Sequence, residues 1–212
     1  MWAGTEKIPR VQIELTNYCN ARCNLCEREQ VYEDDYLEGG PAVHLNNRFL
    51  TLKEIEKAFS GDWKALYKVC FVGNVDEPTI NPEIFEIIEF FQKKFHGDNE
   101  ITIATNGGAR DEEFWSRMGK ISYEHNNQFN MSFYVVFGID GLEDTNHLYR
   151  KNVNWAVLQR NFRSYIKAGG SASWQFIPFS WNKHQIDDAR EFAKKEGFQY
   201  FAILDSVRGE KE

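Results

Sequence analysis

Three cysteines stand within eight positions in the stretch CNARCNLC, as Cys19, Cys23 and Cys26. Three thiolates on one short loop suffice to hold three irons of a four-iron, four-sulfur cluster. The fourth cysteine of the chain, Cys70, is remote, inside the apolar run VCFV, and reads as a small buried hydrophobe. One iron would therefore keep an open position for a ligand, whereas four thiolates would favour plain electron transfer. Zinc is the competing metal, but it closes a tetrahedron of four ligands, and ribbon-type sites pair two short cysteine knuckles where this chain has one. His44 is the nearest fourth zinc ligand on offer.

Three later stretches gather polar groups: GNVDEP (Gly73 to Pro78), TNGG (Thr105 to Gly108) and DGLEDTNHLYR (Asp140 to Arg150). An acidic acceptor such as Glu77 suits an ammonium, although a solvated turn carboxylate reads the same way. Thr-Asn-Gly is also ordinary turn chemistry, and a guanidinium such as Arg150 suits a carboxylate. His44, His96, His125, His147 and His184 show no recurring metal spacing; His147 lies near enough to Arg150 in sequence to orient it. Asp187 and Asp188 read as helix-start carboxylates favoured by the macrodipole.

The elements that would position these groups alternate along the chain. VQIELT (Val11 to Thr16) alternates as a strand, and the cysteines follow it directly. A long polar loop, Glu27 to Arg48, leads to a capping box at Thr51 and Glu54 with Leu52, Ile55 and Phe59 at helical spacing. VCFV is the second strand, and Asn81-Pro82 opens a helix whose stripe is Ile84, Ile87, Ile88, Phe91 and Phe95. ITIAT, a helix from Asp111 with Phe114, Met118 and Ile121 inward, and MSFYVVFGI come next. Asn154 begins a helix carrying Trp155, Leu158, Phe162 and Ile166; SASWQFIPF, a helix from about Gln185 to Glu196, and FQYFAILD complete the series.

Six strands alternating with helices predict an α/β fold with a parallel sheet, and eight such units are needed to close a barrel of the usual type. The expectation is a partial (β/α)6 barrel, open on one side. Chemistry in such folds gathers at the C-terminal ends of the strands, where all four motifs fall.

The composition sets outer bounds. With 212 residues, 42% of them hydrophobic, one domain is expected over 1–212, with 1–10 as an N-terminal extension and 206–212 as a short tail. A net charge of -7 and a pI near 5.4 argue against a nucleic-acid partner. No apolar run approaches the roughly 20 residues that span a bilayer, and MWAGTEKIPR lacks a signal-peptide core, so a soluble, cytoplasmic protein is expected. Cysteines clustered for metal binding, and too few for a disulfide framework, agree with that compartment.

With CNARCNLC after a first strand and the later strand-end motifs in view, the chain resembles the radical S-adenosylmethionine (SAM) superfamily from Val11 to Asp205. The resemblance implies that Cys19, Cys23 and Cys26 bind a 4Fe-4S cluster and that SAM chelates its open iron. Reductive cleavage of SAM would give methionine and a 5'-deoxyadenosyl radical that abstracts a substrate hydrogen. It implies that GNVDEP, through Asn74, Asp76 and Glu77, meets the SAM amino group, with Asp76 where a second glycine is common. Thr105 and Asn106 would reach the methionyl or ribose group. DGLEDTNHLYR is similar to a segment of the peptide-maturase and sulfatase-activating group, in which the residue matching Arg150 approaches the SAM carboxylate. Gly138 stands where that group has a ribose-binding hydroxyl, leaving Asp140 or a neighbour for the contact. Leu25 replaces an aromatic bordering adenine, and Trp174, Phe176 and Pro178 would lie nearby, although an aromatic strand is more often core. An external one-electron reductant of flavodoxin or ferredoxin type is implied. The chain shows no cysteine-rich C-terminal extension of the kind that carries auxiliary clusters. The substrate expected is a peptide or protein side chain, with a small metabolite as the alternative. A rival from another class is a non-catalytic iron–sulfur or zinc module.

Overall fold

The computed structural model describes residues 7–26, 48–74, 76–95, 99–128 and 132–205. The loop expected from Glu27 onward, His44 and His96, Met131 at the start of the predicted fourth strand, and the tail from 206 lie outside the described residues.

All six predicted strands form: β1 (Arg10–Ile13), β2 (Lys68–Phe71), β3 (Glu100–Thr105), β4 (Ser132–Gly138), β5 (Ser171–Phe176) and β6 (Tyr200–Ile203). They pair in parallel and in chain order, so that the sheet stays open, with β1 and β6 as its edges. Between them run α1 (Leu52–Ala58), α2 (Ile84–Lys94), α3 (Glu112–Gln128), α4 (Asn146–Tyr149), α5 (Trp155–Lys167) and α6 (Ile186–Glu196). The local signals act as their chemistry dictates. Thr51 and Glu54 make the reciprocal capping box on α1. Asp111 accepts from the Phe114 N–H at 2.9 Å, and Asn154 from the Val157 N–H at 3.1 Å, opening α3 and α5.

Three boundaries differ from the sequence expectation. β1 stops at Ile13, because from Glu14 the chain changes partner: the Leu50 N–H donates to the Leu15 carbonyl at 2.9 Å, and Thr16 pairs antiparallel with Phe49. Residue alternation persists through such a change and does not reveal it. α2 starts at Ile84, beyond Pro82, because the Asn81 side chain donates to the Leu15 and Leu50 carbonyls at 2.9 Å each and accepts from the Glu83 N–H. The loop expected after β4 contains α4, whose Asn146 accepts from the Asp140 N–H at 2.9 Å.

The two faces of the sheet differ sharply. On one, Phe71, Phe137 and Trp174 lie against α2, α3, α5 and α6, with ring centroids 5.9 Å (Phe71–Phe91), 5.2 Å (Trp115–Phe137), 6.3 Å (Phe137–Phe162) and 6.2 Å (Trp174–Phe192) apart. Full burial of each such side chain contributes about 1.5–3 kcal/mol. The other face carries polar residues in successive register rows, Arg10–Lys68–Glu100 and then Gln12–Cys70–Thr102–Tyr134. There Lys68 Nζ lies 2.5 Å from Glu100 Oε1, which also accepts from the Tyr134 hydroxyl at 2.7 Å and the Thr102 hydroxyl at 3.0 Å. Cys70 is buried as expected, but on this polar face, and burial pushes its thiol pKa up. No helix among the described residues is long and apolar enough to cross a membrane.

Candidate active site

The four motifs meet along the C-terminal edge of the sheet, held by hydrogen bonds between loops that are remote in sequence. The Glu77 N–H donates to the Tyr18 carbonyl at 2.9 Å, and the Arg22 N–H to the Lys151 carbonyl at 3.0 Å. The cysteine loop is thereby tied both to the turn after β2 and to the segment after α4.

Glu77 is the pin between β2 and β3. Its carboxylate accepts from the Thr79 and Thr105 hydroxyls at 2.6 Å each, from the Thr79 N–H at 3.3 Å and from the Asn106 N–H at 2.7 Å. Burial pushes its pKa up, against four hydrogen bonds that favour the charged form. With 1% of its surface exposed, the group has almost nothing left to offer a ligand. The Thr105 hydroxyl is spent on Glu77 and on the Gly107 N–H at 2.9 Å. Asn74, by contrast, lies at the surface, its amide donating to Glu14 at 2.9 Å.

Asp76 fills a buried position next to a second carboxyl. Oδ2 accepts from the Thr16 N–H at 3.0 Å, while Oδ1 is buried without a donor. Burial, and then Glu14, push its pKa up to about 9. A proton on Asp76 converts the repulsion between the two carboxylates into a hydrogen bond.

Arg150 lies over Gly138: a Cβ at 138 would come within 2.6 Å of a terminal guanidinium nitrogen, so a larger residue there would displace the Arg150 head. Its Nε donates to Asp140 Oδ2 at 2.6 Å, and Asp140 Oδ1 accepts from the Ile177 N–H at 2.6 Å. Burial opposes the charge on Arg150, but Asp140 and the Cys23 sulfur outweigh it and raise its pKa. The side chain keeps 17% of its surface exposed, and its terminal nitrogens donate no hydrogen bond among the described residues.

Two further candidate contacts have other partners in the structure. Asp140 is fully buried with both oxygens engaged, so it holds Arg150 and presents no oxygen to a ribose. Phe176 is fully buried on the helix-covered face, 6.0 Å from the Phe201 ring, and cannot reach an adenine without leaving the core. Trp174 is likewise core, its indole N–H donating to the Ile139 carbonyl at 2.7 Å. Leu25 is half-buried and packs against the core.

Cys19, Cys23 and Cys26 form no disulfide among the described residues. The Cys26 N–H donates to the Cys23 carbonyl at 3.0 Å, and Cys26 Sγ lies 4.0 Å from the Asn74 carbonyl. Asn106 Nδ2 lies 3.6 Å from Cys19 Sγ and 2.9 Å from Asn20 Oδ1. Among the described residues no three His, Cys, Asp or Glu side chains converge as ligands of a single ion. Amide and guanidinium donors around soft thiolates fit an anionic iron–sulfur centre. Asn20 and Glu14 were not singled out from the sequence; their adjacency to Cys19 and to the end of β1 was the available signal.

The radical SAM superfamily matches this sequence over residues 13–193. The chain belongs to that superfamily. No curated protein sequence matches it. Among solved structures, this radical SAM chain is similar to Streptococcus suis SuiB bound to its precursor peptide SuiA, with a TM-score of 0.68 and 14% identity over 92% of this chain and 39% of that one. It is also similar to anSMEcpe with bound AdoMet and Cp18Cys peptide, with a TM-score of 0.64 and 16% identity over 92% of this chain and 50% of that one. SuiB bound to S-adenosylmethionine gives a TM-score of 0.64 at 14% identity, over 92% of this chain and 40% of that one. The chain spans half or less of the length of these proteins. At such identities the likeness is one of fold: the open six-stranded sheet is the partial barrel of the radical SAM enzymes.

Proposed function

We propose that the chain is a radical SAM enzyme that holds a 4Fe-4S cluster through Cys19, Cys23 and Cys26 and acts on a peptide or protein side chain. Bound there, the cluster would supply the electron that cleaves SAM to methionine and a 5'-deoxyadenosyl radical, which takes a hydrogen atom from the substrate. The observation that carries the reading is the meeting of three cysteines with Arg150 and Asn106 at one sheet edge, in a chain of this superfamily.

The protein's own groups have separable tasks. Arg150, oriented by Asp140, would receive the SAM carboxylate on its unengaged terminal nitrogens. Asn74, exposed at the turn after β2, has its carbonyl 4.0 Å from Cys26 Sγ. Glu77 and Thr105 would shape the site by joining its loops. The face of the sheet away from the helices, polar and open at β6, would admit a hydrogen-bonding substrate, and a peptide accords with the peptides bound to anSMEcpe and SuiB. The reductant would be a flavodoxin or ferredoxin.

The test is anaerobic reconstitution with iron and sulfide, addition of SAM and dithionite, and chromatography for 5'-deoxyadenosine. Cys23→Ala should lose the cluster and the product, and Cys70→Ala should keep the cluster. Wild-type protein that takes up a cluster but forms no 5'-deoxyadenosine, and whose reduced paramagnetic resonance spectrum ignores SAM, would overturn the catalytic reading in favour of an electron-transfer module.

A further inference from the structure

We propose that Asn106 is a positioning residue for the cysteine loop: its side-chain N–H donates to Cys19 Sγ and raises the reduction potential of the cluster that Cys19 would hold. The inference rests on the cluster reading above, and it assigns to Asn106 a task distinct from contact with SAM.

The orientation of the amide follows from its surroundings. Asn106 Oδ1 accepts from the Gly108 N–H at 2.8 Å, which turns the NH2 group the other way. That group then faces two acceptors, Asn20 Oδ1 at 2.9 Å and Cys19 Sγ at 3.6 Å. Asn20 answers with its own NH2 group, 3.3 Å from Asn106 Oδ1, so the two amides make a reciprocal pair. The backbone of Asn106 is fixed independently, because its N–H donates to the Glu77 carboxylate at 2.7 Å. Asn106 is buried, so the amide has little water to compete for its donors. Gly108 completes the cradle: a Cβ there would stand 3.0 Å from Asn106 Oδ1, 3.1 Å from Asn20 Nδ2 and 3.0 Å from Val153. The TNGG turn thus presents a rigid N–H donor to one particular sulfur.

A donor at a ligand sulfur stabilises the state with more negative charge, which for an iron–sulfur cluster is the reduced one. Losing it should lower the potential. Hydrogen bonds to charged groups contribute enough for about a tenfold change in the ratio of reduced to oxidised cluster, which one electron converts to about 59 mV.

The experiment is a redox titration of the reconstituted full chain without SAM, read by paramagnetic resonance, so that any role in SAM binding drops out. At the potential where wild type is half reduced, Asn106→Ala should show a ratio of reduced to oxidised cluster about tenfold smaller. Gly108→Ala keeps every polar group but presses on the amide pair, and should shift the ratio the same way by a lesser factor. If Asn106→Ala holds no cluster, Gly108→Ala decides. Variants that hold a full complement of iron and sulfide at the wild-type potential overturn the proposal alone; a wild-type chain that takes up no iron and sulfide overturns it together with the cluster reading.

Discussion

Asp76 offers a test of how the site loop is held, because its proton is taken up on folding. Its pKa rises from 3.8 to about 9, so the stability that the neutral carboxyl gives is complete below the lower value and is lost as pH rises through the upper one. Asp76→Asn keeps an acceptor for the Thr16 N–H, offers an N–H to Glu14 and cannot ionise. Thermal melts should therefore place the variant above wild type by several degrees at pH 8, in line with roughly 1–3 kcal/mol for relieving one buried polar clash, and by less at pH 5. An equal gap at both pH values would show that Asp76 is already ionised in the folded protein. This pair also marks the limit of reading residues from sequence. The proposed cluster role of Cys19, Cys23 and Cys26 comes from residue type and spacing, and that of Arg150 from its motif. Asp76 looks like a departure from a glycine pattern until Glu14, 62 positions earlier, is seen beside it. The motifs around Asp140 and Phe176 likewise do not say which way a side chain points, toward Arg150 for the one and into the core for the other.

At the scale of elements, the helices hold the site turns as well as covering the sheet. Asn161, fully buried on α5, donates to the Gly107 carbonyl at 2.7 Å and to the Ala109 carbonyl at 3.0 Å. It braces the turn after β3 from behind, a contact that ties α5 to the donor facing Cys19. Asn161→Ala removes the donor to the buried Gly107 carbonyl and leaves the Ala109 carbonyl with the Trp115 indole N–H alone, and should lower the unfolding free energy by about 1–3 kcal/mol, a loss of several degrees in a melt. No change in the melt would mean that the turn holds its shape without the helix. The order and type of the six strands were legible because helices of clear apolar period separate one from the next. Their ends were less legible: Asn81 and Leu15 set two boundaries through contacts between segments far apart in the chain. The division of the sheet into an apolar and a polar face was written in the alternation of Lys68, Cys70, Glu100 and Thr102, yet the short run VCFV reads as fully buried on its own.

Among the described residues, the chain-order sheet places β3 and β4 between neighbours on both sides and gives β1 and β6 one neighbour each. Amide hydrogen exchange should be slowest in β3 and β4 and faster in the edge strands, since local opening follows the number of contacts that must break. The loop bearing Cys19, Cys23 and Cys26 follows β1, an edge strand of four residues. A cofactor gripped by that loop, and facing groups from β3 and β4, would act as the missing second neighbour. Its removal by chelation should speed exchange at Val11 and Ile13 far more than at Ile103 or Val135, whereas uniform exchange would mean that the edge is secured by other means. Because the cysteine loop hangs from an edge strand, metal occupancy would be a mechanical matter: the same centre that would do the chemistry would also latch the first strand in place.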